Sequence, residues 1–127
     1  MQTILQVEFS PSLALIREEI LTSLGYEVIS VIGSVNARNL DLVKRELNVI
    51  IIGHGSPWDE REQLIKYFGE ALPGVPIVAL LRMRDANFSK VAFSIRADNP
   101  QNWVRVINRF TSAHLPRHIQ VSESACR

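Results

Sequence analysis

Four charged side chains each follow a short apolar run of this 127-residue chain, and their chemistry suits ligand binding. They are Glu8, Arg82, Arg84 and Arg96. Guanidinium groups bind phosphate and carboxylate oxygens, and a carboxylate binds a metal ion or a guanidinium group. We weigh an anion site formed by the three arginines against an ion pair between Arg96 and Glu8, with Arg82 and Arg84 in solvent. The ion pair is favoured, because surface arginines are common and Glu8 is the nearest expected partner.

The triplet His54-Gly55-Ser56 suggests a second chemistry. The same triplet occurs in tetrapyrrole metal chelatases, where it follows the first strand and not the third. A metal site needs several converging ligands, and the other histidines, His114 and His118, lie near the C-terminus. The favoured interpretation is therefore structural: Ser56 caps a helix that has Pro57 at its first position.

These residues are positioned by apolar runs that alternate with amphipathic segments, a pattern typical of a parallel sheet with crossover helices. The predicted strands are 4–7, 28–32, 49–52, 77–81 and 93–95, and the predicted helices are 11–24, 36–46, 58–72 and one from residue 100. Ser10 and Gly25 are the expected caps of the first helix. Ligands in such folds bind beyond the carboxyl ends of the strands.

The connection between the fourth and fifth strands is unusually short. Residues 82–90 make about two helical turns and leave nothing for loops. The fourth helix is therefore expected to be a stub or a loop. Phe88 and Phe93 flank this segment, and they either form an exposed contact patch or fill the space of the missing helix.

Composition excludes several classes of function. The formal net charge of +1 is too balanced to indicate a nucleic-acid or anionic-membrane partner. Cys126 is the single cysteine, so no internal disulfide is expected, which fits a reducing cytoplasm. We expect no signal peptide and no membrane span. The expected organisation is one domain over residues 1–112 and a flexible C-terminal tail over 113–127.

The strand-end motifs resemble those of the response-regulator receiver family over about residues 3–112. The motifs are Val7-Glu8-Phe9-Ser10-Pro11, Val49-Ile-Ile-Ile-Gly-His-Gly-Ser-Pro57, Pro76-Ile-Val-Ala-Leu-Leu81 and Arg96-Ala-Asp-Asn-Pro100. This resemblance implies an α/β, flavodoxin-like, doubly wound five-stranded parallel sheet, here with the fourth helix shortened. It also implies a phosphoryl-accepting aspartate four residues before a proline, and that count falls on Gly53.

The resemblance implies a phosphorylation site that is largely replaced in this chain. The family has acids at 8 and 9, a hydroxyl at 81, a lysine at 96 and a proline at 97. The residues present are Glu8, Phe9, Leu81, Arg96 and Ala97. Because the aspartate is the nucleophile and magnesium needs converging carboxylates, we expect no phosphorylation, no metal and no cofactor.

The expected function is that of a pseudo-receiver in two-component signalling, which is not an enzyme and has no catalytic residues. It would act in the cytoplasm through contacts with a histidine kinase or an output protein, and a homodimer is compatible with this function. One alternative is a sensor of small anionic ligands that uses the strand-end cleft. A His-Gly-Ser enzyme of the chelatase or hydrolase type comes last.

Overall fold

The computed structural model describes residues 2–41 and 46–112. The predicted tail over 113–127 therefore lies outside the described residues. In chain order the described elements are β1 (Thr3–Glu8), α1 (Pro11–Ser23), β2 (Glu27–Ile32), α2 (Ser34–Asn39), β3 (Val49–Ile52), α3 (Trp58–Ala71), β4 (Ile77–Leu81), β5 (Phe93–Arg96) and α4 (Pro100–Ser112).

The strands form one parallel sheet in the order β2-β1-β3-β4-β5. The register pairs Val7 with Ile52 and Ile52 with Ala79, so the carboxyl ends of the central strands lie at one edge. Helices α1 and α4 contribute to the core on one side of the sheet, and α2 and α3 to the core on the other. This arrangement confirms the predicted α/β, flavodoxin-like, doubly wound sheet.

Strand β3 shows why the central run contains no polar residue. Ile50 and Ile52 belong to the core beneath α2 and α3, whereas Val49 and Ile51 belong to the core beneath α1 and α4. Successive side chains of a strand point to opposite faces, so a strand covered on both sides is apolar throughout. None of the described helices is both long enough and apolar enough to span a membrane.

The caps of α1 are as predicted. The Ser10 hydroxyl accepts a hydrogen bond from the Leu13 backbone N–H at 3.4 Å, and Pro11 is the first helical residue. After the helix, Gly25 has a φ of 95°, a left-handed conformation that glycine adopts without steric penalty.

The predicted cap of α3 is wrong. Pro57 precedes the helix as its N-cap and supplies no side-chain hydrogen bond. The helix begins at Trp58, as its predicted range has it, and the buried Ser56 hydroxyl instead donates to the Pro57 carbonyl at 3.4 Å. Asp59 and Glu60 in the first turn place negative charge where the helix dipole favours it.

Helix α2 also differs from its prediction over 36–46. It begins at Ser34 and ends at Asn39, and Leu40 already has extended backbone angles. Residues 42–45 of the predicted helix lie outside the described part of the chain.

No helix connects β4 to β5, which agrees with the expected stub or loop. Phe88 in this connection is buried and stacks on Trp58 with ring centroids 4.8 Å apart. The Trp58 indole N–H donates to the Ala86 carbonyl at 2.9 Å. Phe88 thus fills space in the core, as the second of the two expectations has it, and Phe93 is 36% exposed.

Candidate functional site

The Glu8 side chain occupies the space above Gly53, at the carboxyl ends of β1 and β3. A Cβ atom built on Gly53 would lie 1.8 Å from Glu8 Oε2, and one built on Gly55 would lie 2.6 Å from Glu8 Oε1. Neither glycine has a positive φ, so both are required for space and not for backbone conformation. The carboxylate of residue 8 therefore fills the position where residue 53 would otherwise place a side chain.

Glu8 is fully buried, and each of its oxygens is hydrogen-bonded. Oε2 lies 2.7 Å from Arg17 Nη1, and Oε1 accepts from the backbone N–H groups of Phe9 at 2.8 Å and Gly55 at 3.2 Å. The Arg17 side chain is only 5% exposed. A buried pair with satisfied oxygens is far more stable than either charge alone.

The predicted pair between Glu8 and Arg96 is therefore wrong. Arg96 Nη1 donates to the backbone carbonyls of Arg82, at 2.8 Å, and Met83. The predicted partner follows a strand, whereas the partner in the structure, Arg17, lies on α1. Arg17 shares a buried helix face with Ala14 and Leu21, but only the packing of α1 on the sheet shows that this face is buried.

A polar network extends from this pair into the interior. Arg17 Nη1 also donates to the Gln6 side-chain oxygen at 3.1 Å, and Gln6 donates to the Ala14 carbonyl and the Ser30 hydroxyl, both at 2.9 Å. Ser30 donates in turn to Glu18 at 2.6 Å. Networks in which each polar group has a partner make a core rigid, so α1, β1 and β2 are fixed relative to one another.

The structure brings together two of the three predicted anion-binding arginines. Arg82 and Arg96 line a cleft of about 180 Å³ at the carboxyl ends of β4 and β5, which also contains Leu81 and Asp98. Arg82 donates to the Ser56 carbonyl at 3.0 Å. Arg84 is exposed and does not line the cleft.

His54 lies at the wall of the same cleft. Burial lowers the pKa of its imidazole; Glu8 opposes this effect, and the positive charges of Arg17, Arg61 and Arg82 add to it. His54 is therefore neutral at pH 7. Among the described residues no group of three or more His, Cys, Asp or Glu side chains could bind a metal ion, and His114 and His118 lie outside that set.

A second buried arginine was not identified from the sequence. Arg61 on α3 is fully buried, and its Nη1 donates to Asp85 Oδ2 at 2.8 Å and to the Leu80 carbonyl at 3.2 Å. Its guanidinium lies 5.5 Å from the Phe88 ring centroid. The hydrogen bond from Arg61 is the largest cause of a lowered pKa at Asp85. These contacts anchor the connection that stands in place of a fourth helix.

The residues at the strand ends do not fit a magnesium-dependent phosphoryl site. Magnesium prefers several carboxylate and water oxygens in octahedral geometry. Glu8 is the single acid among the matching positions, and its oxygens already bind Arg17 and two N–H groups. Phe9 packs against the core beneath α2 and α3, Leu81 is buried there, and Gly53 has no nucleophile.

The fold is that of the response-regulator receiver domains. The chain superposes on a receiver domain from Clostridium thermocellum with a TM-score of 0.77 and 15% identity, covering 89% of this chain and 96% of that one. The response regulator TrrA from Thermotoga maritima, solved in complex with Mg²⁺-BeF, gives a TM-score of 0.75 and 15% identity, covering 87% and 99%.

A receiver domain of a signal transduction histidine kinase from Syntrophus aciditrophicus gives a TM-score of 0.74 and 19% identity, covering 90% of this chain and 92% of that one. No family model matches the sequence, and no curated protein matches it either. At these identities the similarity establishes the fold, and it leaves the function to be argued from the site.

Proposed function

We propose that this chain is a receiver-fold signalling module that works without aspartyl phosphorylation and is not an enzyme. It transmits its signal in the cytoplasm through contacts with another protein, of the histidine kinase or output protein kind. One observation carries this proposal: the Glu8 carboxylate, paired with Arg17, lies in the space that a side chain at position 53 would need.

The groups at the strand ends support the same conclusion, because they do not meet the requirements of aspartyl phosphorylation. Acyl phosphate formation needs a carboxylate nucleophile, and the phosphoryl oxygens need a metal and positive donors around them. Gly53 supplies no nucleophile, and Glu8 is already neutralised by Arg17 and so cannot help to bind a metal ion. At this site the receiver fold thus holds a structural ion pair in place of phosphoryl chemistry.

Incubation with acetyl phosphate and magnesium is expected to add no phosphoryl group to the wild-type chain or to Gly53→Asp. The variant is expected to fail because Glu8 occupies the space of the new side chain and no second acid completes a metal site. Intact-protein mass spectrometry is the measurement, with a phosphorylatable receiver domain treated in parallel as the positive control. A magnesium-dependent adduct on either form would overturn the proposal.

The strand-end cleft supports a second candidate function, the sensing of a small anionic ligand. Arg82 and Arg96 line it, beside the neutral His54, and Arg96 is held in place by two backbone carbonyls. Asp98 in the same lining opposes an anion. The phosphate or other anionic group of a small ligand would therefore lie on the arginine side of the cleft.

Thermal-shift titrations with phosphate, nucleotides and cyclic dinucleotides test this second candidate. A saturable rise in Tm that disappears in Arg96→Gln and persists in Arg84→Gln is expected if the cleft is the site. Arg84 is the matched control because it is exposed and outside the cleft lining. No shift with any of these compounds removes the ligand hypothesis.

A further inference from the structure

A groove runs between α3 and the end of the connection from β4 to β5. It consists of two cavities of about 170 and 390 Å³ that share three lining residues, Ile65, Lys66 and Lys90. The apolar residues that line it are Val75, which is half-buried, and Ile65, Ile77 and Phe88, which are each no more than 5% exposed and form its floor. We call this feature the α3 groove. It lies where the β4–β5 connection lacks the helix present in the other connections described.

Gly69 lines the α3 groove within helix α3. A glycine inside a helix costs about 0.5–1 kcal/mol relative to alanine. The backbone at position 69 does not require glycine, because its φ is not positive. Its neighbours do not require glycine either, because a Cβ atom there would meet nothing within 4 Å. A missing side chain at an open helix surface allows a second backbone to approach closely.

The charges beside Gly69 define a pattern for a partner. Glu62, Lys66 and Glu70 are four residues apart, so they follow one face of α3, next to Ile65 and Gly69. None of these three charges forms an ion pair with another described residue. A partner with a basic, an acidic and a basic residue at the same spacing would complement them in either direction.

We propose that the α3 groove binds one amphipathic helix of a partner protein, with its backbone close to Gly69 and a Lys-Glu-Lys series along its flank. A second copy of this chain fits less well, because an antiparallel pair of α3 helices matches at most two of the three charges, such as Lys66 with Glu70, and leaves the third without an opposite charge. The inference rests on the protein contacts proposed above and specifies the chemistry of the partner.

A phage-displayed library of helical peptides tests this proposal on the full chain. Each peptide has fixed leucine and alanine at i, i+3, i+4 and i+7, and flanking positions randomised between Lys and Glu. Binders enriched in the Lys-Glu-Lys series are expected, with Kd raised about tenfold or more by Gly69→Trp. Gly74→Trp is the matched control, because Gly74 is also exposed with an open Cβ direction but does not line the groove.

Gly69→Ala is a second test, because it is expected to increase the stability of the chain and to decrease its affinity for the peptides. It is expected to raise the free energy of unfolding by up to about 1 kcal/mol and to weaken the selected peptides. The proposal is overturned if no peptide is selected, if binding is insensitive to Gly69→Trp, or if the groove variant abolishes a dimer of this chain seen by sedimentation. None of these outcomes changes the expected result with acetyl phosphate. The peptide experiment therefore tests the binding of a helix in the α3 groove, and the acetyl phosphate experiment tests the absence of phosphorylation.

Discussion

Gly53→Ala is expected to lower the free energy of unfolding by about 1–3 kcal/mol or more, although it adds a single methyl group. The added carbon would lie 1.8 Å from Glu8 Oε2, so the carboxylate must move. That movement strains the 2.7 Å contact with Arg17, and both side chains of this pair are buried. Urea denaturation measures the change, and Gly74→Ala, where a Cβ meets nothing, is the matched control with little expected effect.

A double-mutant cycle tests whether Glu8 causes the loss of stability in Gly53→Ala. In a background with Glu8→Ala and Arg17→Met, the carboxylate is absent and no charge is left unpaired, so Gly53→Ala should become nearly neutral. An equal cost in both backgrounds would show that something other than Glu8 excludes a side chain at position 53. The cycle also bears on the proposed absence of phosphorylation, because an aspartate at this position would need the same space.

Arg17→Met is expected to lower the free energy of unfolding by about 3–5 kcal/mol, because it leaves Glu8 buried without its counter-ion. Methionine retains most of the apolar contact of the arginine stem, so the measured loss reports chiefly on the unpaired carboxylate. A loss of this size is a large fraction of the stability of a small domain. Adding Glu8→Gln to the variant should restore part of the stability, since the amide is neutral and similar in shape.

Two further arginines serve as controls for that measurement. Arg84→Met should change stability by no more than about 0.5 kcal/mol, because Arg84 is exposed. Arg96→Met removes hydrogen bonds to two backbone carbonyls and should cost about 1 kcal/mol. If Arg96→Met were more destabilising than Arg17→Met, the assignment of the ion pair to α1 would be wrong.

These effects explain how the receiver fold remains intact with a glycine at position 53. A bare deletion of the acceptor would leave the remaining acid buried beside a void. Here Glu8 fills that space, and Arg17 from α1 neutralises it. At the neighbouring strand end, Arg61 and Asp85 fix a connection without a helix. Both ion pairs join a helix to the edge of the sheet: Arg17 joins α1 to the end of β1, and Arg61 joins α3 to the connection that follows β4.

Much of the fold could be predicted because it depends on local patterns. The four β-branched residues of β3 indicate burial on both faces, and Ser10 and Gly25 mark the ends of α1 by their own backbone and hydrogen-bonding preferences. The short span over 82–90 excludes a full fourth helix by length alone. The missing nucleophile at Gly53 follows from a count to the nearby proline, given the family resemblance.

The pairing of charges could not be predicted in this way. Both possible pairs join the Glu8 carboxylate to an arginine, so the rule that a buried charge needs an opposite charge does not choose between them. The choice depends on where the side chains point: Arg96 is distant from Glu8 in the chain, and Arg17 lies on a helix that covers the sheet. The end of α2 at Asn39 likewise departs from the apolar pattern that predicted a helix over 36–46. Local propensity selects the type of each element, whereas long-range packing selects its ends, its partners and the spaces left open between elements.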